Sequence, residues 1–163
     1  MHSFPPMKKL VPILAVVLGL VIPCRAAKPK SPKAPKPTRS DVAYGAHPKQ
    51  VLHFWKAKSD QPTPLLFFIH GGGWMAGSRM HRHLIEMLPA LRKNKISAVS
   101  IEYRWIKDAV EAGIEPPVKA PLHDAAQALQ FVRSKAKEWN IDPERIAACG
   151  GSAGACSSLW LNF

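Results

Sequence analysis

The sequence predicts an α/β domain with a doubly wound, mostly parallel sheet, and two observations lead to this prediction. Short apolar runs alternate along the chain with longer amphipathic stretches, which is the pattern of β-α-β units. Glycine clusters at 71–73 and 150–154 follow two of the apolar runs. Because ligands bind beyond the carboxyl ends of the strands in such sheets, both clusters are candidate parts of a functional site.

Four strands are predicted from apolar patterning. Residues 64–70 (PLLFFIH) form a continuous apolar run that ends in glycines, typical of a strand buried on both faces. Residues 50–57 alternate well enough for a strand, and 96–104 (ISAVSIEYR) form the next one. A turn is expected at 140–144 (NIDPE), and the last strand follows it at 145–150.

Helices are predicted where apolar residues recur every three or four positions. Ser78 is the expected N-cap of the first helix, which should break or kink at Pro89. Pro121 and Asp124 mark the start of the second helix, because proline suits a first turn and a carboxylate suits the positive end of the helix dipole. The apolar stripe of this helix extends to Trp139.

Residues 1–26 are predicted to be a secretory signal peptide. Two lysines precede an apolar run at 10–22, and small residues follow it, so cleavage is expected after Ala26 or Ala27. The protein should therefore be secreted or periplasmic, with no stable membrane partner after cleavage. The alternative is an uncleaved N-terminal membrane anchor, although the apolar run is short for a span.

Residues 27–40 alternate lysine and proline and are expected to form an extended linker before the folded part at 41–163. This division explains the net charge of +12. Residues 1–40 contain 8 of the 23 lysines and arginines and none of the 11 acidic residues, which leaves +4 on 41–163. A folded part with so small a charge is not expected to bind nucleic acid.

No metal, cofactor or disulfide framework is predicted. Cys149 and Cys156 are expected to be small buried residues, since three cysteines form no paired set. His81 and His83 lie two positions apart, so on a helix their side chains should point apart. A capping or surface role is expected for His123 and for Asp124 beside it. The sequence does not indicate an oligomeric state.

The first chemical motif is Gly150-Gly151-Ser152-Ala153-Gly154, which fits G-x-S-x-G between a strand and a helix. The glycines permit a sharp turn that holds the serine in a strained backbone conformation, and bulky flanking residues would clash. Ala153 starts a helix, so its N–H is suited to face developing negative charge. An idle serine in a small-residue turn, or a phosphate-binding loop, remains an alternative from this motif alone.

The second motif, His70-Gly71-Gly72-Gly73-Trp74, directly follows a buried strand. Three successive glycines let the backbone approach a substrate and turn its N–H groups inward, as in the H-G-G-G form of an oxyanion hole. A flexible loop is the alternative. The two motifs in this order, each after a strand, favour an esterase-type serine site.

These motifs identify a resemblance to α/β-hydrolases of the esterase and lipase group typified by hormone-sensitive lipase and its secreted bacterial relatives. The resemblance covers residues from about 41 to 163. It is carried by HGGGW at 70–74, YR at 103–104, the stretch at 124–147 and GGSAG at 150–154.

The resemblance implies that Ser152 is the nucleophile and that the N–H groups of Gly71, Gly72 and Ala153 form an oxyanion hole. It gives supporting places in the two motifs to His70, Gly73, Trp74, Gly150 and Gly154. His70 is expected to orient the loop by hydrogen bonding rather than to act as the base.

Two aromatic residues and one segment are weighed as parts of a substrate pocket. Trp74 and Trp105 could line an acyl or aryl pocket, and core packing is the alternative for both. Residues 105–120 are expected to be irregular and to form a pocket wall.

The acid and the histidine of a triad are missing after Ser152, where the family order places them. The tail AGACSSLWLNF contains neither. We therefore expect a fragment of a longer enzyme that is inactive by itself, with the triad partners beyond Phe163.

The predicted activity of the whole enzyme is hydrolysis of carboxylic esters through an acyl-enzyme. Its substrate is expected to be a small molecule or an acetyl or feruloyl ester on a polysaccharide. A peptidase or amidase of the same fold, and a non-catalytic relic of it, remain as alternatives.

Overall fold

The computed structural model describes residues 34–162, and the elements below belong to that part of the chain. The predicted signal peptide lies outside it. The strands are β1 Arg39–Ala43, β2 Val51–Trp55, β3 Thr63–Ile69, β4 Ser97–Ile101 and β5 Ile141–Gly150. The helices are α1 Arg82–Lys93, α2 Ile106–Glu111, α3 Lys119–Ser134, α4 Ala136–Trp139 and α5 Ala153–Trp160.

The strands form one sheet in the order β1-β2-β4-β3-β5. β3 lies between β4 and β5 and is parallel to both. β2 is antiparallel to its neighbours β1 and β4, so four of the five strands run in one direction. The predicted mostly parallel α/β sheet is confirmed, and the motifs after β3 and β5 leave the same edge of neighbouring strands.

Helices cover both faces of the sheet, as the doubly wound prediction requires. On one face, Phe67 packs in a cluster with Val132 of α3 and Trp139 of α4. On the other face, Phe68 packs in a cluster with Leu88 of α1. Adjacent residues of β3 therefore point to opposite sides, which explains why its sequence is apolar without alternation.

The predicted linker is too long at its C-terminal end. Arg39 and Ser40 already belong to β1, where Arg39 pairs with Phe54 of β2. The carbonyl of Pro35 accepts a hydrogen bond from Trp55 Nε1 at 2.8 Å. The sequence pattern missed this edge strand because main-chain pairing does not require apolar side chains.

The first helix, α1, differs from the prediction in its N-cap residue and in its continuity through Pro89. His81 is the N-cap and its Nδ1 accepts from the His83 N–H, whereas Ser78 Oγ accepts from the Met80 N–H in a preceding turn. Pro89 lies inside α1, which continues to Lys93. The predicted break is therefore absent. Leu84 and Leu88 are buried before Pro89, and Leu91 after it is partly buried against the same cluster.

Two connecting segments are more regular than predicted. The segment 105–120 contains α2, whose first turn is capped by the Asp108 carboxylate accepting from the Trp105 N–H at 2.7 Å. In the segment 140–144, Asn140 ends α4 in a left-handed conformation and the residues after Ile141 form a bulge within β5 rather than a separate turn. Ile141 pairs with Thr63, and regular pairing to β3 resumes at Ile146.

The second predicted helix starts slightly earlier than expected and ends in a separate turn. α3 begins at Lys119, two residues before Pro121, and α4 carries Trp139. Within residues 34–162, no helix is long and apolar enough to cross a membrane.

Candidate active site

Ser152 occupies a strained turn between β5 and α5. Its φ of 53° and ψ of −123° lie outside the regions that side-chain-bearing residues usually adopt. Such strain persists only where the surrounding structure holds it, and it is concentrated at functional sites. The residue is exposed, and its Oγ makes no hydrogen bond within the described part of the chain.

Close backbone packing explains the glycines at both ends of this turn. A Cβ on Gly150 would lie 2.2 Å from the carbonyl oxygen of Ile69. A Cβ on Gly154 would lie 2.1 Å from the same oxygen. Both glycines therefore let the start of α5 lie directly against the end of β3. Gly151 differs from them, since a Cβ there meets nothing within 4 Å.

The two predicted motifs are adjacent in the structure. Residues 70–79, here called the glycine loop, leave β3, and Ile69 pairs with Gly150 in the parallel ladder. A Cβ on Gly71 would lie 2.5 Å from the Gly151 carbonyl oxygen and 3.5 Å from the Ser152 Cβ. Parallel pairing of β3 and β5 thus brings together segments that are eighty residues apart in the sequence.

Backbone N–H groups in both motifs have no hydrogen-bond acceptor in the described part of the chain. The N–H groups of Gly71 and Gly72 donate to no acceptor within residues 34–162. Ala153 is the first residue of α5, and the first four N–H groups of a helix have no partner inside it. Gly71 and Ala153 therefore lie next to Ser152, and Gly72 follows Gly71 along the glycine loop.

The glycine loop turns sharply through three residues with positive φ. Gly72, Gly73 and Trp74 have φ values of 110°, 62° and 55°. The Gly72 carbonyl accepts from the N–H groups of Met75 and Ala76, at 3.0 and 3.1 Å, which closes the turn. Trp74 Nε1 donates to Ser157 Oγ at 3.1 Å and links the loop to α5.

His70 is completely buried at the base of the loop. Its Nε2 lies 2.8 Å from Glu102 Oε1, and its Nδ1 lies 2.8 Å from the Gly71 carbonyl oxygen. The Tyr103 hydroxyl donates to the His70 carbonyl at 2.8 Å, and the two rings stack with centroids 4.3 Å apart. Both nitrogens of His70 thus face acceptors other than Ser152.

Glu102 is the most important residue that the sequence interpretation left without a role. Burial raises the pKa of this carboxyl, but its hydrogen bond to His70 and the charges of His70 and Arg79 outweigh burial and lower the pKa overall. Its place directly before the YR pair, at the carboxyl end of a predicted strand, was the signal that could have singled it out.

The predicted surface or capping role of Asp124 is wrong. Its side chain is completely buried and accepts from the Arg104 backbone N–H at 2.8 Å and from the Arg104 guanidinium at 2.6 Å. Gln50 Nε2 donates to it at 2.7 Å. The Asp124 carboxylate points inward from α3 and anchors Arg104 just after β4. Helix patterning could not predict this pairing, because it joins residues that are distant in the sequence.

Within residues 34–162, no other histidine forms a hydrogen bond with Ser152. The rings of His81 and His83 lie 4.9 Å apart, contrary to the expectation that they point apart, because His81 is the extended N-cap rather than a helical residue. His123 is exposed and stacks on Trp160 at 5.8 Å. Across residues 34–162, no cluster of three or more His, Cys, Asp or Glu side chains could hold a metal ion.

The cysteines differ from the prediction that both are buried. Cys156 is exposed on α5 and Cys149 is half-buried on β5, and neither forms a disulfide. Burial raises the pKa of the Cys149 thiol. Trp74 and Trp105 are partly buried and pack against the core cluster, which agrees with the core alternative.

The sheet and the strand–serine–helix turn define an α/β-hydrolase. A family model described as BD-FAE matches residues 53–161, and the chain belongs to this family. The versiconal hemiacetal acetate esterase of Dothistroma septosporum is 31% identical over 150 residues, which are 91% of this chain and 42% of that protein.

Solved structures give the same fold. A truncated carbohydrate esterase from gut microbiota aligns with a TM-score of 0.62 and 25% identity, covering 77% of this chain and 45% of that one. Esterase 2 of Thermogutta terrifontis, phosphonylated by cyclosarin, aligns with a TM-score of 0.62 and 25% identity, covering 78% and 47%. The chain therefore spans less than half the length of these relatives.

Proposed function

We propose that the whole protein is a serine hydrolase that cleaves carboxylic esters, with Ser152 as its nucleophile. The observation that carries this proposal is the contact between the glycine loop and the strained serine, with 3.5 Å from the position of a Cβ on Gly71 to the Ser152 Cβ. The esterase names of the relatives support the ester bond over the peptide bond.

The proposed reaction has two stages. Ser152 Oγ attacks the carbonyl carbon, and the free N–H groups of Gly71, Gly72 and Ala153 donate to the oxygen that becomes negatively charged. Collapse of the tetrahedral intermediate breaks the bond to the alcohol oxygen and leaves an acyl group on Ser152. Water then attacks the acyl-enzyme, releases the carboxylic acid and restores the serine.

The proton released by Ser152 needs a base, which then gives it to the leaving alcohol. Both nitrogens of His70 are engaged elsewhere, and no acid or histidine follows Ser152 in the sequence. We therefore assign the base and its acidic partner to sequence after Phe163 in the whole protein. This assignment predicts a histidine and an Asp or Glu there, each on a loop after a strand.

A cavity beside the glycine loop supports a binding place for part of the substrate. It measures about 430 Å³ and is lined by Met75 of the loop and by Ile106, Lys107, Val110 and Glu111 of α2. The Ile106 N–H donates to the Trp74 carbonyl at 2.8 Å, which fixes α2 against the loop. The predicted pocket wall at 105–120 is thus proposed to hold an apolar acyl or alcohol group.

The test uses the protein translated from the complete reading frame. We expect it to hydrolyse 4-nitrophenyl acetate, and we expect Ser152→Ala to abolish turnover without changing the unfolding temperature. Matched 4-nitroanilide substrates should react far more slowly. Full turnover by the Ser152→Ala variant, or faster amide than ester cleavage, would contradict the proposal.

The finer substrate proposal is an acetyl or feruloyl ester on plant polysaccharide. The carbohydrate esterase among the solved relatives supports a polysaccharide substrate. Release of acetate from acetylated xylan and of ferulate from feruloylated arabinoxylan tests it. Turnover of small acetate esters with no release from either polymer would restrict the protein to small-molecule esters.

Export is proposed from residues 1–26, which lie outside the structure described. N-terminal sequencing of the protein from the native host's envelope fraction or culture medium should find a chain beginning at Ala27 or Lys28. An N-terminus that retains the apolar run at 10–22 would support the anchored alternative.

A further inference from the structure

One carboxylate contacts both ends of the glycine loop. Glu102 Oε1 lies 2.8 Å from His70 Nε2 at the first residue of the loop. Glu102 Oε2 accepts from the backbone N–H of Arg79, the last residue, at 3.4 Å and lies 3.7 Å from its guanidinium. Glu102 is 8% exposed and follows β4, so its position is set by the central part of the sheet.

The His70 end of the loop is held tightly. The imidazole is completely buried, and the Tyr103 ring stacks on it. Gly77 passes so close that a Cβ there would lie 2.2 Å from His70 Nδ1 and 2.6 Å from the Gly71 carbonyl oxygen. Movement of this imidazole therefore moves the Gly71 peptide, whose carbonyl it contacts and which lies next to the serine turn.

The Arg79 end connects the same carboxylate to the antiparallel edge of the sheet. Arg79 Nε donates to His53 Nε2 on β2 at 3.2 Å, and its Nη2 forms an ion pair with Asp41 on β1. Burial and the charge of Arg79 lower the pKa of His53, which favours the neutral ring beside the guanidinium. The guanidinium thus has two further partners, His53 and Asp41, that fix it beside Glu102.

We propose that Glu102 is a positioning residue for the oxyanion hole, joining His70 and Arg79 so that the N–H groups of Gly71 and Gly72 stay beside Ser152. The inference rests on the function proposed for Ser152 and extends it to residues outside both glycine motifs. A buried carboxylate suits this place because it offers two acceptor oxygens to two cationic or donating groups.

The variant Glu102→Gln tests the arrangement with little change of shape. An amide has one acceptor oxygen, so it serves one end of the loop and presents N–H groups to the other. In the whole enzyme we expect kcat for 4-nitrophenyl acetate to fall by about ten- to a hundredfold with KM changed less than about twofold, since small displacements of catalytic groups have effects of this size.

Two controls separate positioning from stability. Glu86 forms an exposed ion pair with Arg82 on α1, so Glu86→Gln should leave kcat unchanged. Leu88 is buried on the other side of the sheet, so Leu88→Ala should lower the unfolding temperature without a specific loss of kcat.

A pair of variants at Arg79 tests the other end of the loop. Arg79→Lys keeps a cation near Glu102 and should recover part of the activity that is lost in Arg79→Met.

Hydrogen exchange tests the inference independently of catalysis. We expect Glu102→Gln to speed exchange of amides in 70–79 by about tenfold relative to wild type, with α3 unchanged, because exchange reports local opening. Unchanged exchange in the loop, or a kcat loss no larger than that of Leu88→Ala, would overturn the inference. If Glu102→Gln speeds exchange in the loop as expected but wild type hydrolyses no ester, the proposed function fails. The exchange result still decides whether Glu102 positions the loop.

Discussion

The serine turn and the glycine loop lie side by side, but they are held by different means. The turn at 150–154 depends on backbone contacts in which a Cβ at either Gly150 or Gly154 would strike the Ile69 carbonyl. The loop at 70–79 depends on side chains from elsewhere, chiefly Glu102 and Tyr103 after β4. A short motif is therefore enough to specify the turn, whereas the loop needs a polar network spread over three strands.

The largest effect is expected where backbone packing leaves no room. Gly154→Ala places a Cβ 2.1 Å from the Ile69 carbonyl and 2.8 Å from the His70 carbonyl. Neither backbone atom can move without shifting β3, so we expect a loss of about 4 kcal/mol or more in the free energy of unfolding. Urea denaturation of the two proteins measures it.

Gly151→Ala is the matched control for this turn. A Cβ at Gly151 meets nothing within 4 Å, and its φ is not positive. We expect a change of less than about 0.5 kcal/mol. Equal stability losses for the two variants would mean that close packing does not explain the glycines.

The next effect tests the buried ion pair between Asp124 and Arg104. Asp124→Ala leaves the Arg104 guanidinium and backbone N–H without their buried acceptor. Breaking a buried pair by removing one partner costs about 3–5 kcal/mol. Thermal and urea unfolding should show this loss, while Glu86→Ala in the exposed Arg82 pair should cost less than about 1 kcal/mol. Similar costs for both would contradict the distinction between buried and exposed pairs.

A smaller effect is expected at the hydrogen bond that joins the two regions. Trp74→Phe keeps an aromatic ring but removes the Nε1–H that donates to Ser157 Oγ at 3.1 Å. The expected loss of stability is about 1 kcal/mol, the usual net value of such a bond. Ser157→Ala removes the other partner, and a double-mutant cycle should show that the two losses are not additive. Fully additive losses would show that the bond contributes nothing.

The smallest effect is expected on the free energy of unfolding at acidic pH, through the Glu102 carboxyl. The pKa of Glu102 is lower in the folded protein than its ordinary value of 4.5, so the unfolded chain binds more protons in the window below that value. The stability contributed by Glu102 is therefore complete above about pH 4.5 and is lost as the pH falls through the folded pKa. Wild type should lose more stability than Glu102→Gln between pH 5 and pH 3, measured by urea denaturation. Parallel curves would contradict the direction of this shift.

The sequence predicted the elements that depend on local patterns and missed those that depend on distant contacts. The apolar run of β3 and the glycines of both motifs are local, so the parallel sheet and the place of Ser152 followed from them. β1 was missed because its pairing with β2 is a main-chain interaction. Asp124 was misassigned because only the folded chain brings it to Arg104, and Glu102 was overlooked for the same reason.

The measurement that tests the central claim most directly is covalent labelling of the whole protein with a fluorophosphonate, followed by intact mass and peptide mapping. A phosphonate mimics the tetrahedral intermediate, so it requires both the nucleophile and the loop that stabilises the oxygen. We predict one adduct per chain, on Ser152, that is absent in Ser152→Ala and forms more slowly in Glu102→Gln. A folded protein that takes no label, or takes it on another residue, would contradict the account.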